Sequence, residues 1–598
     1  MAKEKIEINI FDEAESTVYV QQRIEDIVNS LSAQFVDKTD CFRELIQNSI
    51  DAETPQIDVT FDTNTIGDLV QATITFEDYG IGMTMFERDE YLLKLFKSSK
   101  ESRSDKIGKY GIGIVSPFIL KPDHFIIEST GKNGSTVSES WGLHMRQTNG
   151  NPEFRHYEIE QRKGTKVVIQ KIVSMQEAVA LKSQVKEKIS FFCARSRTPI
   201  YVDGEFINKE FKLNSNLQVH EVMPGLEYVI GQRDSGGDPI YEYLNNRLKL
   251  EQGIKPFTHW PNISLLVSSS EFHHTFSRDK VVEDDAFARI INHINTAGID
   301  KLLIKALDII ESYQQVSANV VKFDKAVKSN DAAADDSARY SKLDYIDAWG
   351  LVGDYIQDLK GKYKPSKKEK PSDLYVFIKK GMPKACSRYK LFQTFFGEKL
   401  SIDDVLNTMI NDSKLYTVST LDKEMANILK KHGKVAFVNY IIYDYTDSCL
   451  TENRRVLGML GTFEDARVDF YSRCEIKDKN RITSREKDFM SMISGYLKKN
   501  GSMCYNEVYF TSNSDIAQID AFKDFVIISK DGRKAGKKKT NFFRMDQYGF
   551  FSRVYDIAVN IDSPKIQQLM TIYMLSNKKK LVCEMLSELE KNYTYLRY

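Results

Sequence analysis

The spacing of apolar and polar positions divides the chain into blocks of mixed strand and helix. Alternating runs predict strands at Ile6–Phe11, Ile57–Phe61, Ala72–Glu77, His124–Ser129 and Thr165–Gln170. Helical spacing covers Gln21–Leu31 and Phe42–Ala52. Strands and helices mixed in this order predict one layered domain over residues 1–210, closing after the short strand and turn at Pro199–Gly204. A second block, 211–450, opens with strand-like runs at Glu227–Gly231 and Ile263–Val267 and a helix at Asp285–Ser312. A polar stretch (Lys328–Ser341) and a basic, proline-punctuated loop (Lys360–Ser372) follow. Beyond them LYVFIKK (374–380), KLYTVST (414–420), a helix at Lys423–His432 and KVAFVNYII (434–442) predict alternating β and α. Residues 451–598 read as a mixed, mainly helical region with a helical segment at Lys565–Asn592. The expected fold class is α+β, with several domains.

Composition narrows the partners. Lys plus Arg and Asp plus Glu both number 84, so whole-chain charge points to neither nucleic acid nor membrane. Only local basic runs, Lys360–Lys370 and Arg533–Lys539, offer cations in series. The seven cysteines are scattered, odd in number and form no C-x-x-C pair. That pattern fits reduced thiols of a cytoplasmic protein better than a disulfide framework or a zinc site. No run of 18 apolar residues predicts a membrane span, and the polar start MAKEKIEINIFDEAEST lacks an apolar leader core.

Three short stretches carry the chemistry. In FRELIQNSIDAE (42–53), Glu44, Asn48 and Asp51 recur at i, i+4 and i+7, one face of a helix, while Leu45 and Ile46 face the core. Asn48 can give Mg²⁺ one neutral oxygen, since that ion takes few protein ligands and fills its shell with phosphate oxygens and water. Glu44, one turn earlier, can orient or deprotonate a water near a terminal phosphate. An amphipathic helix with a solvated acidic face would show the same spacing. In EDYGIGMT (77–84), Asp78 ends a strand and can accept the exocyclic amine of adenine, and Gly80 and Gly82 let the backbone turn tightly. In IGKYGIGIVS (107–116), Gly108, Gly111 and Gly113 precede a helical stretch and can expose backbone N–H groups to phosphates. The Thr165 hydroxyl, after Gly164, can complete the adenine pocket.

Taken in this order, these elements resemble the Bergerat-fold ATPases of the gyrase, heat-shock chaperone, histidine kinase and MutL superfamily over about residues 20–170. The resemblance implies an N-terminal α/β sandwich that binds ATP and Mg²⁺. Glu44 would be the catalytic base, Asn48 the metal ligand, and Asp78, Gly80, Gly82, Met83, Asp51 and Thr165 would bind nucleotide. The Gly108–Gly113 loop would hinge a lid, with Lys97–Lys100 on its approach. RIEDIVNSLSAQFVDKTDCFRELIQNSIDA (23–52) is similar to the ninety-kilodalton heat-shock chaperones in particular. EFHHTFSRDKVVEDDAF (271–287) resembles their middle-domain segment, which implies that Arg278 reaches the γ-phosphate as an arginine finger. KLYTVSTLDKEMANILKKHGKVAFVN (414–439) resembles the small α/β part of the same middle domain, and VNIDSPKIQQL (559–569) faintly resembles the dimerisation domain. The stretch from Gly164 to Arg278 is shorter than in those chaperones and holds no long acidic linker.

Two readings of the whole chain follow. In the first, ATP closes a lid, a homodimer clamps, and a protein client is held by middle and C-terminal surfaces. In the second, the same ATPase closes a MutL- or MORC-like clamp on DNA, in a genome-defence role, with the two basic runs contacting phosphates. No histidine precedes His124, so a phospho-accepting histidine ahead of the ATPase elements is absent.

Overall fold

The computed structural model describes residues 8–9, 37–93, 114, 116–133, 137–148, 151–233, 237–257, 259–274, 280–324, 340–366, 370–418, 423–438, 455–461, 463–465, 483–501, 505–511, 524–529, 555–576 and 578–595. The segments expected at Gln21–Leu31 and Arg533–Lys539 fall outside them, as do Gly108, Gly111, Gly113, Lys97–Lys100 and Arg278. The chain forms two compact units, Met1–Leu302 and Leu303–Tyr598. Helix and sheet are mixed in both, as the α+β reading expects.

The first unit is built on a nine-stranded sheet. Its strands are β1 (Ile8–Asn9), β2 (Ile57–Ile66), β3 (Leu69–Asp78), β4 (His124–Asn133), β5 (Val137–Thr148), β6 (Asn151–Tyr157), β7 (Gly164–Val173), β8 (Ile200–Val202) and β9 (Glu205–Phe206). They lie in the order β1-β6-β5-β4-β7-β3-β2-β8-β9. Neighbours pair antiparallel except β2 with β8. Alternation along β3 sends Val70, Ala72, Ile74 and Phe76 to one buried face. Helices α1 (Cys41–Asp51) and α2 (Met175–Cys193) cover that face and pack on each other. Phe42, Leu45 and Ile46 of α1 are all but fully buried. Each contributes about 1.5–3 kcal/mol of apolar burial.

A five-stranded sheet follows within the same unit: β10 (Gln218–Met223), β11 (Leu226–Gln232), β12 (Ile240–Asn245), β13 (Leu248–Ile254) and β14 (Ile263–Ser269). Their order is β10-β11-β14-β12-β13, with β12 parallel to β14. Glu227 on β11, 6% exposed, gathers two arginines and a histidine. Arg247 lies 2.5 Å away, Arg197 2.7 Å and His220 2.8 Å. Burial raises the Glu227 carboxyl, but the hydrogen bonds from Arg247, Arg197 and His220 outweigh it and hold the group at about 2. A carboxylate with a depressed folded pKa adds stability that is present above its unfolded pKa and lost as pH falls through the folded one. From an ordinary value of 4.5 the shift is worth about 3 kcal/mol before the screened share of the exposed Arg197 is removed. Glu227→Gln should therefore lower the urea midpoint at pH 7. The gap from wild type should close as pH falls from 4.5 to about 2. A gap that stayed open at pH 2 would assign the loss to packing instead.

In the second unit, helices Lys342–Lys362, Asp373–Gly381, Ile402–Asp412 and Lys423–Lys431 accompany a parallel three-stranded sheet. That sheet pairs Leu415–Val418 with Ala436–Val438 and Phe463–Asp465. LYVFIKK corrects the strand expectation, because it lies inside helix Asp373–Gly381. Only Ile378 of that helix is buried, so no strand face is formed. The C-terminal part holds helix Ser484–Asn500 and a sheet of Tyr505–Thr511, Tyr555–Asn560 and Phe525–Ser529. The helical segment at Lys565–Asn592 resolves into two helices, Pro564–Ser576 and Lys579–Tyr595.

Candidate functional site

α1 begins behind the 3₁₀ turn Lys38–Asp40, where Asp37 accepts hydrogen bonds from the Thr39 backbone N–H (2.9 Å) and hydroxyl (2.7 Å). Lys188 of α2 braces this end, 2.9 Å from Asp37 and 3.0 Å from Asp40. Burial raises the Asp37 carboxyl, but Lys188 and Thr39 hold it at about 2, so the brace stays charged near neutral pH. The C-terminal half of α1 then lies along a cavity of ≈ 190 Å³. Leu45, Asn48, Ser49 and Ala52 line it from α1's side, a stripe at i, i+3, i+4 and i+7. Phe76 and Asp78 of β3, Gly82, Met83, Glu87, Ile114, and Thr165 and Val167 of β7 close it.

Asp78 is the polar centre of this cavity and is 6% exposed. Its Oδ1 accepts the backbone N–H of Gly80 (3.0 Å) and of Thr165 (3.1 Å), and its Oδ2 accepts the Ser49 hydroxyl (3.3 Å). Burial raises its pKa above the ordinary carboxylate value, and these three donors and Arg162 offset part of that. Arg162 in turn is held by Glu77 at 2.6 Å and Glu128 at 3.7 Å.

The backbone comes so close here that side chains are excluded. Gly82 has φ +68°, and a Cβ on it would sit 2.0 Å from the Thr130 carbonyl oxygen. Gly164 has φ +72°, and a Cβ there would meet the Asp78 carbonyl oxygen at 2.3 Å. Met83 is fixed at both ends of its peptide: its N–H donates to Ser129 Oγ (2.9 Å) and its carbonyl accepts Trp141 Nε1–H (2.8 Å). Ser129 Oγ also lies 2.9 Å from Thr165 Oγ1. A capping box joins Thr84 and Glu87 just beyond.

The structure thus brings Asn48, Asp78, Gly82, Met83 and Thr165 into one cavity, with Gly80 in the turn that Asp78 organises. Glu44 lies one turn before Asn48 in the first turn of α1, 8% exposed, with Oε1 3.6 Å from Arg43 Nε. It flanks the lining stripe without belonging to it. Asp51 does not join the group. It is the last residue of α1, exposed, accepts Gln47 Nε2–H at 2.7 Å and, like Glu44, is not among the residues that line the cavity. Sequence reasoning missed Ser49, Ser129, Trp141 and Arg162. Among the described residues no group of three or more His, Cys, Asp or Glu side chains forms a metal cluster. No described helix is long and apolar enough to cross a membrane.

Comparison with known proteins agrees with this geometry. Residues 40–172 match the family model described as "Histidine kinase-, DNA gyrase B-, and HSP90-like ATPase". The chaperone protein HtpG of Bacteroides fragilis, in strains 638R, YCH46 and ATCC 25285, is 30% identical over 146 residues. That alignment covers 21% of this chain and 20% of each relative, so the chain spans about a fifth of the length of the curated relatives it matches. The cavity and the strands that frame it lie within the family match: residues 40–172 resemble the ATPase domain of the histidine kinase, DNA gyrase B and HSP90-like kind.

Proposed function

We propose that this protein binds Mg-ATP in the Asp78 cavity and hydrolyses it slowly to ADP and phosphate, driving an HSP90-type conformational cycle in a cytoplasmic homodimer that acts on a protein client. The observation that carries the reading is the Asp78 carboxylate. It is buried, aimed into an apolar cavity and already oriented by three protein donors. A carboxylate so placed can accept an exocyclic amine, and the flanking Phe76, Met83, Ile114 and Val167 suit a flat aromatic base. At ≈ 190 Å³ the cavity is below the roughly 300–1,000 Å³ of whole-ligand sites, so it suits the base end of a nucleotide. Asn48, exposed at the rim, would hold Mg²⁺ through its side-chain oxygen, and the ion would supply positive charge to the phosphates. Glu44, farther toward the N-terminus of α1, orients the attacking water and takes its proton. The glycine loop 108–113 and Arg278 supply phosphate contacts in this reading.

The client reading rests on the 30% match to HtpG. The DNA-clamp alternative rests on the two basic runs, and of the first, residues 360–366 and 370 are described, with Lys364 and Lys370 exposed. Lys360 is half-buried, so desolvation lowers its amine, and Lys362 is 2.6 Å from Asp358. The test is to load the protein with a non-hydrolysable ATP analogue and Mg²⁺ and titrate duplex DNA at several salt concentrations. No binding at low salt agrees with the client reading. Nucleotide-dependent binding with a steep salt slope would replace it with the clamp.

A further inference from the structure

The turn after α2 ties the nine-stranded sheet and its helices to the five-stranded sheet through charge pairs. Arg195, two residues past the end of α2, points its Nε at Glu242 Oε2 on β12 (3.2 Å). The other oxygen of Glu242 takes Lys249 of β13 at 2.7 Å. All three are nearly out of water, with side-chain exposures of 16%, 11% and 10%. Lys249 also lies over the ring of Phe191 in the last turn of α2, 4.5 Å from its centroid. A second carboxylate makes a more exposed pairing: Glu227 on β11 holds Arg197, itself 70% exposed, from the same turn and Arg247 from the turn between β12 and β13. Each acid therefore bridges one cation of the turn after α2 and one from the β12–β13 hairpin.

We propose that Glu242 and Glu227 are positioning residues for ATP turnover: they clamp the turn after α2 to the five-stranded sheet, and α2 then sets the helix that carries Glu44 and Asn48. This rests on the nucleotide reading given above. The path is continuous. Arg195 fixes the C-terminal end of α2, Lys188 fixes its middle to Asp37 and Asp40 ahead of α1, and the two helices share one core. Neither acid touches the cavity, so the clamp acts on the placement of α1 and not on contacts to the base. Packed elements of this kind transmit a shift because they settle in discrete arrangements.

The experiment uses the full chain with Arg195→Ala, which leaves Glu242 paired with Lys249 and so leaves no orphan acid, and Arg195→Lys, which restores the charge. ATP-analogue affinity should stay within about twofold of wild type, while kcat falls about fivefold to thirtyfold. Arg195→Lys should recover most of the loss. Amide exchange in α1, read on the ATP-free protein, should quicken in Arg195→Ala and return toward wild type in Arg195→Lys. Unchanged kcat and unchanged α1 exchange would overturn the proposal, and so would a loss of affinity equal to the loss of kcat. If the wild type releases no phosphate, the nucleotide reading has failed, and the exchange of α1 alone decides whether the clamp exists. Should Arg195→Ala not fold, Arg195→Met gives the same comparison, since it keeps the length of the side chain and leaves Glu242 paired with Lys249.

Discussion

Asp78→Asn should abolish ATP binding while leaving the protein as stable as wild type or more so. Oδ1 already accepts two backbone N–H groups, so the amide oxygen of the asparagine must stay there. Its NH₂ then replaces Oδ2, the oxygen that faces Ser49. An adenine amine would meet a donor where it needs an acceptor. Losing a charge-assisted bond and leaving two buried donors opposed costs about 3 kcal/mol or more, about a hundredfold in affinity. The stability half follows from the pKa. Burial raises Asp78 above its ordinary value, and that outweighs its hydrogen bonds. A carboxyl raised in the folded state contributes stability below its unfolded pKa, and that contribution is lost as pH rises through the folded pKa. The ionised group is therefore a cost to the empty protein at neutral pH, and the neutral amide removes it. Calorimetric titration and thermal unfolding of the same sample separate the two effects. Normal ATP affinity in Asp78→Asn would move the base site elsewhere, and a sharp fall in Tm would show that the carboxylate mainly holds the fold.

Glu44→Ala should bind ATP and turn it over about 10²–10⁴ times more slowly, the range a positioned general base supplies. The residue lies in the first turn of α1, where a carboxylate is also favoured by the helix dipole. It is 8% exposed, so truncation opens a small void and removes a charge beside Arg43. Glu44→Gln is the control, since it keeps the volume and cannot take a proton. Both variants should show the same slow phosphate release with wild-type affinity. Full activity in Glu44→Gln would sink the assigned base, while loss in Ala alone would point to packing around Arg43.

Much of this site is legible in the sequence because it is local. The helix face from Glu44 to Asn48, the strand ending at Asp78 and the glycine turn behind it are each set by spacing over a few residues. Ser49 was illegible, because a serine in a helix interior has no signature and its partner Asp78 lies 29 residues away. Ser129 and Arg162 read as ordinary strand and loop residues, and they matter through partners distant in sequence: Met83 and Thr165 for Ser129, Glu77 and Asp78 for Arg162. α2 escaped notice because its buried positions, Ala178, Val185, Ile189 and Phe192, are sparse and its outer face shows Met175 and Val179. LYVFIKK misled for the opposite reason. Its β-branched and aromatic residues alternate like a strand, and tertiary packing makes it a helix.

The central claim is that the Asp78 cavity takes the base of ATP, and the most direct test is a calorimetric titration of the wild-type protein with a non-hydrolysable ATP analogue and Mg²⁺, followed by competition with GTP. The account predicts one site per chain that ADP displaces and GTP does not, since guanine presents a carbonyl to the carboxylate. No heat of binding, or equal displacement by GTP, would contradict it.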